Sequence, residues 1–321
     1  MTSRRAFLAS SAALAAAASL PRAALAEAPL DIVATTGMIA DAARRIAGDR
    51  ASVRALMGPG IDPHAYRQTR TDVAAMTRAD LVLWHGLYLE AQLEAFLNDL
   101  ARSRTVVAAA EDLPRDKLLA HEDYAGRYDP HVWMNPDLWA LVVARIEQAL
   151  SDAAPRHAEA FAQEAQAHIA EGAALQAYSR KVLATVPERS RILVTAHDAF
   201  NYFGDAYGFE VLGIQGISTE SEAGLARIGQ LVDLLVQRRV GAVFVESSVS
   251  DRNVRALIEG AAAQGHQVKI GGELFSDAMG SEGTYEGTWL GMIDHNVTTI
   301  AQALGGQAPA RGMNGRLSAG S

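Results

Sequence analysis

Short apolar runs alternate with amphipathic stretches along most of the chain. Eight runs rich in β-branched residues predict strands at residues 30–36, 53–57, 81–85, 105–109, 191–197, 210–215, 242–248 and 267–272. The stretches between them, such as MIADAARRIAG and LEAQLEAFLNDLAR, carry apolar residues at helical spacing. Nearly continuous apolar strands separated by helices are typical of parallel sheets that are covered on both faces. The pattern predicts an α/β fold with two lobes, each with a mostly parallel four-stranded sheet.

The segment between the two halves has a different pattern. Residues 154–187 are rich in Ala, Glu and Gln, and they predict one long rigid helix of about 45 Å. Gly172 is the weak position in this helix. We therefore expect a signal peptide, an N-terminal α/β lobe, a linking helix, a C-terminal α/β lobe and a flexible tail, at residues 1–26, 27–150, 151–187, 188–305 and 306–321.

The first 26 residues have the pattern of an export signal. Arg4 and Arg5 precede an apolar run from Ala6 to Leu20, and a small-residue ALA sequence ends at Ala26. These are the three parts of a secretory signal peptide, and the run is too short and Ala-rich for a membrane span. The sequence SRRAFL resembles the twin-arginine export motif, with an ordinary secretory signal as the alternative. Either route places the mature chain outside the cytoplasm.

Composition narrows the classes of partner. The net charge of −8 argues against a nucleic-acid-binding protein, which would normally present a basic face. The sequence contains no cysteine, so it has no disulfide, no thiolate metal site and no cysteine for a lipid anchor. We expect a soluble, unanchored periplasmic protein that works as a monomer.

The tripeptide Asp-Pro-His occurs twice, in IDPHAYRQT and in YDPHVWMNP, and provides His64 and His131. Each motif follows a predicted strand of the first lobe, while His197 and Asp277 follow strands of the second. Ligands of open α/β sheets bind beyond the carboxyl ends of the strands, so if the two lobes face each other, all four side chains can converge in the cleft. The proline stiffens each loop, and the preceding Asp can accept hydrogen bonds from nearby backbone N–H groups.

Each of these residues also has a simpler interpretation. His64 and His131 could be surface turn residues, His197 a buried core histidine, and Asp277 a helix cap. Three further residues are candidates for orienting the metal ligands from behind: His85, Glu220 and Glu246. The two glutamates could instead cap turns or helices. His157 and His168, on the linking helix, are expected to be solvated.

With these motifs the chain resembles the zinc/manganese-binding proteins of bacterial ABC importers, the ZnuA/TroA-like family. The resemblance covers essentially the whole mature chain and includes GPGIDPHAYRQT, DPHVWM, VTAHDAFNYFGDAYGFEVLGIQGISTESEAG and GGELFSDAMG. It implies two lobes tied by a rigid helix, with a metal buried between them. It also implies a set of metal ligands formed by His64, His131, His197 and Asp277.

Two departures bear on the identity of the metal. Zinc-specific members of the family often carry a long His-rich loop where this chain has only AHEDYAGRYD, and some manganese-specific members have Glu where this chain has His197. The family also commonly has Asp where this chain has Asn135. Three imidazoles and one carboxylate suit tetrahedral Zn²⁺, whereas Mn²⁺ prefers more oxygen ligands. The sequence leaves Zn²⁺ and Mn²⁺ both open as the transported ligand.

The resulting functional prediction is capture of a divalent transition metal and its delivery to a membrane ABC permease, with no catalysis. The alternatives are an exported zinc-dependent hydrolase and a metal-stabilised adhesin. A catalytic zinc usually keeps three protein ligands and an open position for water, and the chain has no H-E-x-x-H motif.

Overall fold

The eight predicted strands are all present in the computed structural model, which describes residues 28–121, 124–221 and 223–318. Each observed strand begins and ends within two residues of the predicted run. The strands are β1 (Leu30–Ala34), β2 (Ala51–Ala55), β3 (Leu81–Trp84), β4 (Val106–Ala108), β5 (Ile192–Thr195), β6 (Glu210–Gly213), β7 (Ala242–Glu246) and β8 (Lys269–Leu274). The predicted signal peptide lies outside the described residues.

Helices occupy the connections between these strands. They are α1 (Gly37–Ala47), α2 (Arg70–Arg78), α3 (Glu94–Leu100), α4 (Pro136–Ala153), α5 (Ala158–Leu183), α6 (Asn201–Tyr207), α7 (Leu225–Arg238), α8 (Arg252–Ala263) and α9 (Trp289–Ala303). Among the described residues, no helix combines the length and the apolar character that crossing a membrane would require.

The N-terminal lobe contains one four-stranded sheet in the order β2-β1-β3-β4. All three pairings are parallel, and Ile32 faces Val53 on one side and Leu81 on the other. Both central strands, β1 and β3, are largely buried, as expected for a parallel sheet with helices on its two faces.

The C-terminal lobe is also parallel, but its strands form two hydrogen-bonded pairs. β5 pairs with β6 and β7 pairs with β8, and β5 lies beside β7. The four parallel strands are as predicted, whereas no ladder between β5 and β7 is recorded among the described residues.

The long connecting helix is α5, with 26 residues and a length of about 39 Å. It is shorter than predicted because a 3-10 turn at Pro155–His157 precedes it and because it ends at Leu183. Gly172 does not interrupt it, and a Cβ at this position would lie 3.3 Å from the Trp289 indole, so the glycine permits close packing. His168 is 3% exposed and packs against the same indole, so the expectation that it is solvated was wrong.

The two lobes share one large apolar core. It joins β1 and β3 of the first lobe to α6, β8 and α9 of the second, with α1, α4 and α5 between them. Two smaller clusters lie outside it, one in each lobe. The lobes are therefore fastened along one side, and the cleft lies at the carboxyl ends of the strands.

The described part of the C-terminal segment, residues 306–318, packs on the protein and differs from the predicted flexible tail. Leu317 is 1% exposed, and the Met313 backbone N–H donates to both carboxylate oxygens of Asp294 at 2.9 and 3.0 Å. Gly312, with φ of +70°, allows this turn because a Cβ there would lie 2.4 Å from Asp294 Oδ2.

Candidate metal centre

Four of the residues predicted from the sequence lie together in the cleft, each after the carboxyl end of a strand. His64 follows β2, His131 follows β4, His197 follows β5 and Asp277 follows β8. One donor atom from each lies within 4.8 Å of the others, and every one of these residues is at least 98% buried. Surface turn positions for His64 and His131 do not fit this burial, and Asp277 is not the N-cap of any helix among the described residues.

The spacing of the donor atoms suits a single metal ion. Nε2 of His131 lies 3.3 Å from Nε2 of His64 and 3.3 Å from Oδ1 of Asp277. Nε2 of His197 lies 3.1 Å from Oδ2 of Asp277. Donors at about 2.0 Å from a tetrahedrally bound Zn²⁺ are separated from one another by about 3.3 Å. The four side chains could therefore hold a divalent ion with little rearrangement.

The two Asp-Pro-His motifs build the same local turn. Oδ1 of Asp62 accepts from the His64 backbone N–H at 2.8 Å, and Oδ1 of Asp129 accepts from the His131 backbone N–H at 2.9 Å. The sequence predicted this type of bond, but not a second one: Asp129 also accepts from Nδ1–H of His131 at 2.7 Å. That bond keeps a proton on Nδ1 of His131, so that Nε2 is the nitrogen left to bind a metal.

Glu246, at the end of β7, orients His197 in the same way. Oε2 accepts from Nδ1–H of His197 at 2.5 Å, while Oε1 accepts from the backbone N–H of His197 at 2.9 Å. One carboxylate thus holds both the backbone and the ring, and Nε2 points into the cleft.

The other two candidates for orienting the metal ligands lie farther out. Nε2–H of His85 donates to the Pro130 carbonyl at 2.7 Å, so His85 supports the backbone directly before His131. Glu220 is exposed, and its carboxylate accepts from the Gln92 side chain at 2.9 and 3.1 Å at the rim of the cleft. Among the recorded hydrogen bonds of the described residues, neither candidate reaches any of the four clustered side chains.

Burial and ion pairing shift the pKa values of His64 and His131, the two clustered histidines of the first lobe, in opposite directions. Burial lowers the pKa of His64 to about 3, so its imidazole is neutral at physiological pH. Burial also opposes protonation of His131, but Asp129 and Asp277 outweigh it and raise the pKa of His131 to about 9.

The second lobe contributes an ion pair. Although burial disfavours both charges, Asp277 and Glu246 raise the pKa of His197 well above its ordinary value. In turn, His197 and His131 lower the pKa of Asp277 well below its ordinary value, against the effect of burial. In the metal-free protein, His131 and His197 are therefore imidazolium groups near neutral pH, each paired with two carboxylates.

Two parallel α/β lobes that enclose three imidazoles and a carboxylate define a protein built to surround one small cation. Residues 32–303 match the model of the ZnuA family, described as zinc-uptake complex component A, periplasmic. The chain belongs to this family of extracytoplasmic metal-binding proteins, the substrate-binding components of metal ABC importers.

Individual relatives match nearly the same range. Manganese-binding lipoprotein MntA of Bacillus subtilis is 48% identical over 275 residues, which cover 86% of this chain and 90% of the relative. The structure of the periplasmic zinc-binding protein TroA from Treponema pallidum is 45% identical, with a TM-score of 0.84 over 86% of this chain and 99% of that chain.

A third match has a broader description. The laminin-binding protein Lmb of Streptococcus agalactiae is described as bifunctional, with adhesin and metal-transporting activity. Its structure is 27% identical, with a TM-score of 0.74 over 86% of this chain and 99% of that chain. Adhesion is therefore associated with this fold in one relative.

Proposed function

We propose that this chain captures Zn²⁺ or Mn²⁺ with His64, His131, His197 and Asp277 and delivers it to the permease of an ABC importer. The observation that carries the proposal is the convergence of four buried donor atoms, three of them imidazole nitrogens. The Nδ1 atoms of His131 and His197 are held by Asp129 and Glu246, which leaves their Nε2 atoms in the cluster. Among the described residues, Nε2 of His197 and both oxygens of Asp277 have no hydrogen-bond partner outside the donor cluster itself, which suits donors reserved for a cation.

The donor set binds the two candidate metals differently. Three nitrogens and one oxygen match tetrahedral Zn²⁺, and the Irving–Williams order gives Zn²⁺ the higher affinity at such a site. Mn²⁺ would gain from binding both oxygens of Asp277. The names of MntA and TroA, which refer to manganese and zinc, support the same pair of cargo ions. Tight zinc binding in vitro therefore does not identify the physiological cargo.

The same geometry argues against catalysis. Four protein donors complete a tetrahedral zinc site, whereas a catalytic zinc needs an open position for water. None of the relatives described above is named as a hydrolase. Hydrolytic assays of the zinc-loaded protein are expected to show no turnover above that of the His131→Ala variant.

The test of the proposed function is metal analysis of protein purified from its native compartment, together with uptake by cells. One equivalent of Zn or Mn per chain is expected, because the cluster has room for one ion. Deleting the gene should lower uptake of that metal, and wild-type protein should restore it while a His131→Ala His197→Ala variant should not. Unchanged uptake in the deletion strain would rule out the proposed role.

We also propose a soluble periplasmic monomer without a lipid anchor. MntA is named a lipoprotein, but this sequence has no cysteine to carry a lipid. The net charge of −8 supports the absence of nucleic-acid binding.

If the twin-arginine route is used, replacing Arg4 and Arg5 by Lys should block export, as measured by cell fractionation. Undiminished export would leave the general secretory route.

A further inference from the structure

The two metal-site loops of the first lobe are attached to the second lobe to very different extents. We call residues 56–66 the His64 loop and residues 119–121 and 124–135 the His131 loop. Both belong to the N-terminal lobe in sequence, so a cleft that opens between the lobes should carry both loops away together. The hydrogen bonds and the packing indicate a different division.

Helix α6 of the C-terminal lobe holds the His131 loop at two points. The Tyr202 hydroxyl accepts from the Leu119 backbone N–H at 3.1 Å and donates to the Asp129 carbonyl at 2.9 Å. Nδ2–H of Asn201 donates to Oδ2 of Asp129 at 3.1 Å. Since Asp129 also holds the His131 ring, the second lobe helps to orient a histidine of the first.

Trp133 adds two further bonds and an apolar anchor. Its Nε1–H donates to the Ser276 carbonyl at 2.9 Å, and its own carbonyl accepts from Nε1–H of Trp289 at 3.0 Å. The Trp133 side chain is fully buried in the core shared by both lobes, along with Phe200, which directly precedes α6. The His131 loop is therefore bound to the C-terminal lobe by five hydrogen bonds and by core packing.

The His64 loop has far less to hold it. Apart from contacts within the donor cluster, its one recorded hydrogen bond to the described C-terminal lobe runs from the Thr219 hydroxyl to Oδ2 of Asp62, at 2.5 Å. Its apolar side chains, Leu56, Met57 and Tyr66, pack in a cluster made of N-terminal-lobe residues. Outside the donor cluster, one hydrogen bond thus joins this loop to the described C-terminal lobe.

This proposal rests on the proposed function. We propose that the four metal ligands separate during release into one ligand on one side and three on the other, a one-plus-three division. On release, the His64 loop moves away and His131, His197 and Asp277 stay together on the C-terminal side. The Thr219–Asp62 hydrogen bond is the latch for this movement. The bound ion would then be exposed on one face while three ligands still hold it, which suits transfer to a permease.

The absence of cysteine allows a direct test, because labels can be placed at single new cysteines. The exposed residues Ala65, on the His64 loop, and Ala120, on the His131 loop, are each paired with Ala262 on α8 as Ala→Cys variants. Nitroxide distances are measured in metal-free and Zn²⁺-loaded protein. Removing Zn²⁺ should lengthen the 65–262 distance by about 2 Å or more and leave the 120–262 distance unchanged.

Equal changes in both distances, or no change in either, would overturn the one-plus-three division. Zinc titration of the same labelled proteins separates this result from a failure of the proposed function, which would show as an absence of binding.

In unlabelled protein, Thr219→Val should speed the loss of Zn²⁺ to a chelator about 10-fold. The control Thr77→Val, on the exposed face of α2, should not. Equal rates of Zn²⁺ loss from the two variants would show that the Thr219–Asp62 hydrogen bond does not act as the latch.

Discussion

Replacing His131 by Ala is expected to lower the affinity for Zn²⁺ by at least about 100-fold. The side chain provides one of four donors, and loss of an outer hydrogen-bond partner alone typically costs 10- to 100-fold. Truncation also leaves Asp129 and Asp277 without the imidazole that pairs with both of them. The same loss is expected for Ala at His64, His197 and Asp277, measured by competition with a chelator of known affinity.

The controls for this series are histidines outside the cleft. His157→Ala and His266→Ala should bind Zn²⁺ as the wild type does, because His157 lies before the linking helix and His266 bonds to the Val240 carbonyl. Glu246→Gln should fall between the two groups, since it keeps an acceptor for His197 but loses the charge. Thermal unfolding of each metal-free variant checks its fold. Wild-type affinity in His197→Ala would show that the assignment of the four ligands is wrong.

The sequence was most informative where position along a strand determines position in space. Parallel strands bring their carboxyl ends to one edge, so strand position predicted that His64 lies near His131. The same rule placed His197 near Asp277. All four meet because the two lobes face each other, which was an assumption at that stage. The strand pattern itself was clear because buried strands of this kind are apolar throughout. The orienting bonds of Asp62 and Asp129 also followed from the local motif.

Predictions that depended on tertiary contacts were less accurate. Nothing in the helical pattern around His168 shows that Trp289, more than 100 residues later, covers its ring. The C-terminal segment resembles a frayed tail by composition, yet the buried carboxylate of Asp294 accepts from its backbone. Glu220 lies in a segment that strongly resembles the family, but its turn directs the carboxylate toward Gln92.

The contribution of α6 was also missed, although it has a signal in the sequence. Asn201 and Tyr202 follow His197 closely, in the stretch AHDAFNYF, and both donate to Asp129, the first residue of the second Asp-Pro-His motif. A polar residue pair next to a predicted ligand is a reason to look for partners on the facing loop. Which loop it faces is decided by the core that joins the lobes, and the sequence pattern does not contain that information.

The apparent affinity for Zn²⁺ is expected to rise about 100-fold for each pH unit between pH 5 and pH 8. Ordinary histidine pKa values of about 6.5 would confine proton competition to lower pH and involve three protons, or up to about 1000-fold per unit. The structure changes both expectations. His64, with its pKa lowered to about 3, is already neutral and contributes no proton in this range.

The direction of this pH dependence follows from the other two imidazoles, those of His131 and His197. The pKa of His131 is raised to about 9 and that of His197 well above its ordinary value, so both are protonated in the metal-free protein through this range. Zn²⁺ needs their neutral forms and must displace two protons, each of which contributes a factor of about 10 per pH unit. Asp277 stays ionised because its pKa is lowered, so it adds nothing to the slope.

The same shifts predict how the stability of the metal-free protein depends on pH. A group whose pKa is raised on folding stabilises the protein below its unfolded pKa and loses that effect as pH rises through its folded pKa. The melting temperature of the metal-free protein should therefore fall between about pH 6.5 and pH 9, and that of the Zn²⁺-loaded protein should fall less.

Chelator competition from pH 5 to 8, with His157→Ala alongside, measures how the Zn²⁺ affinity changes with pH. A flat profile would exclude histidines as the main ligands, and a slope of three protons would show that His64 is also charged before the metal binds.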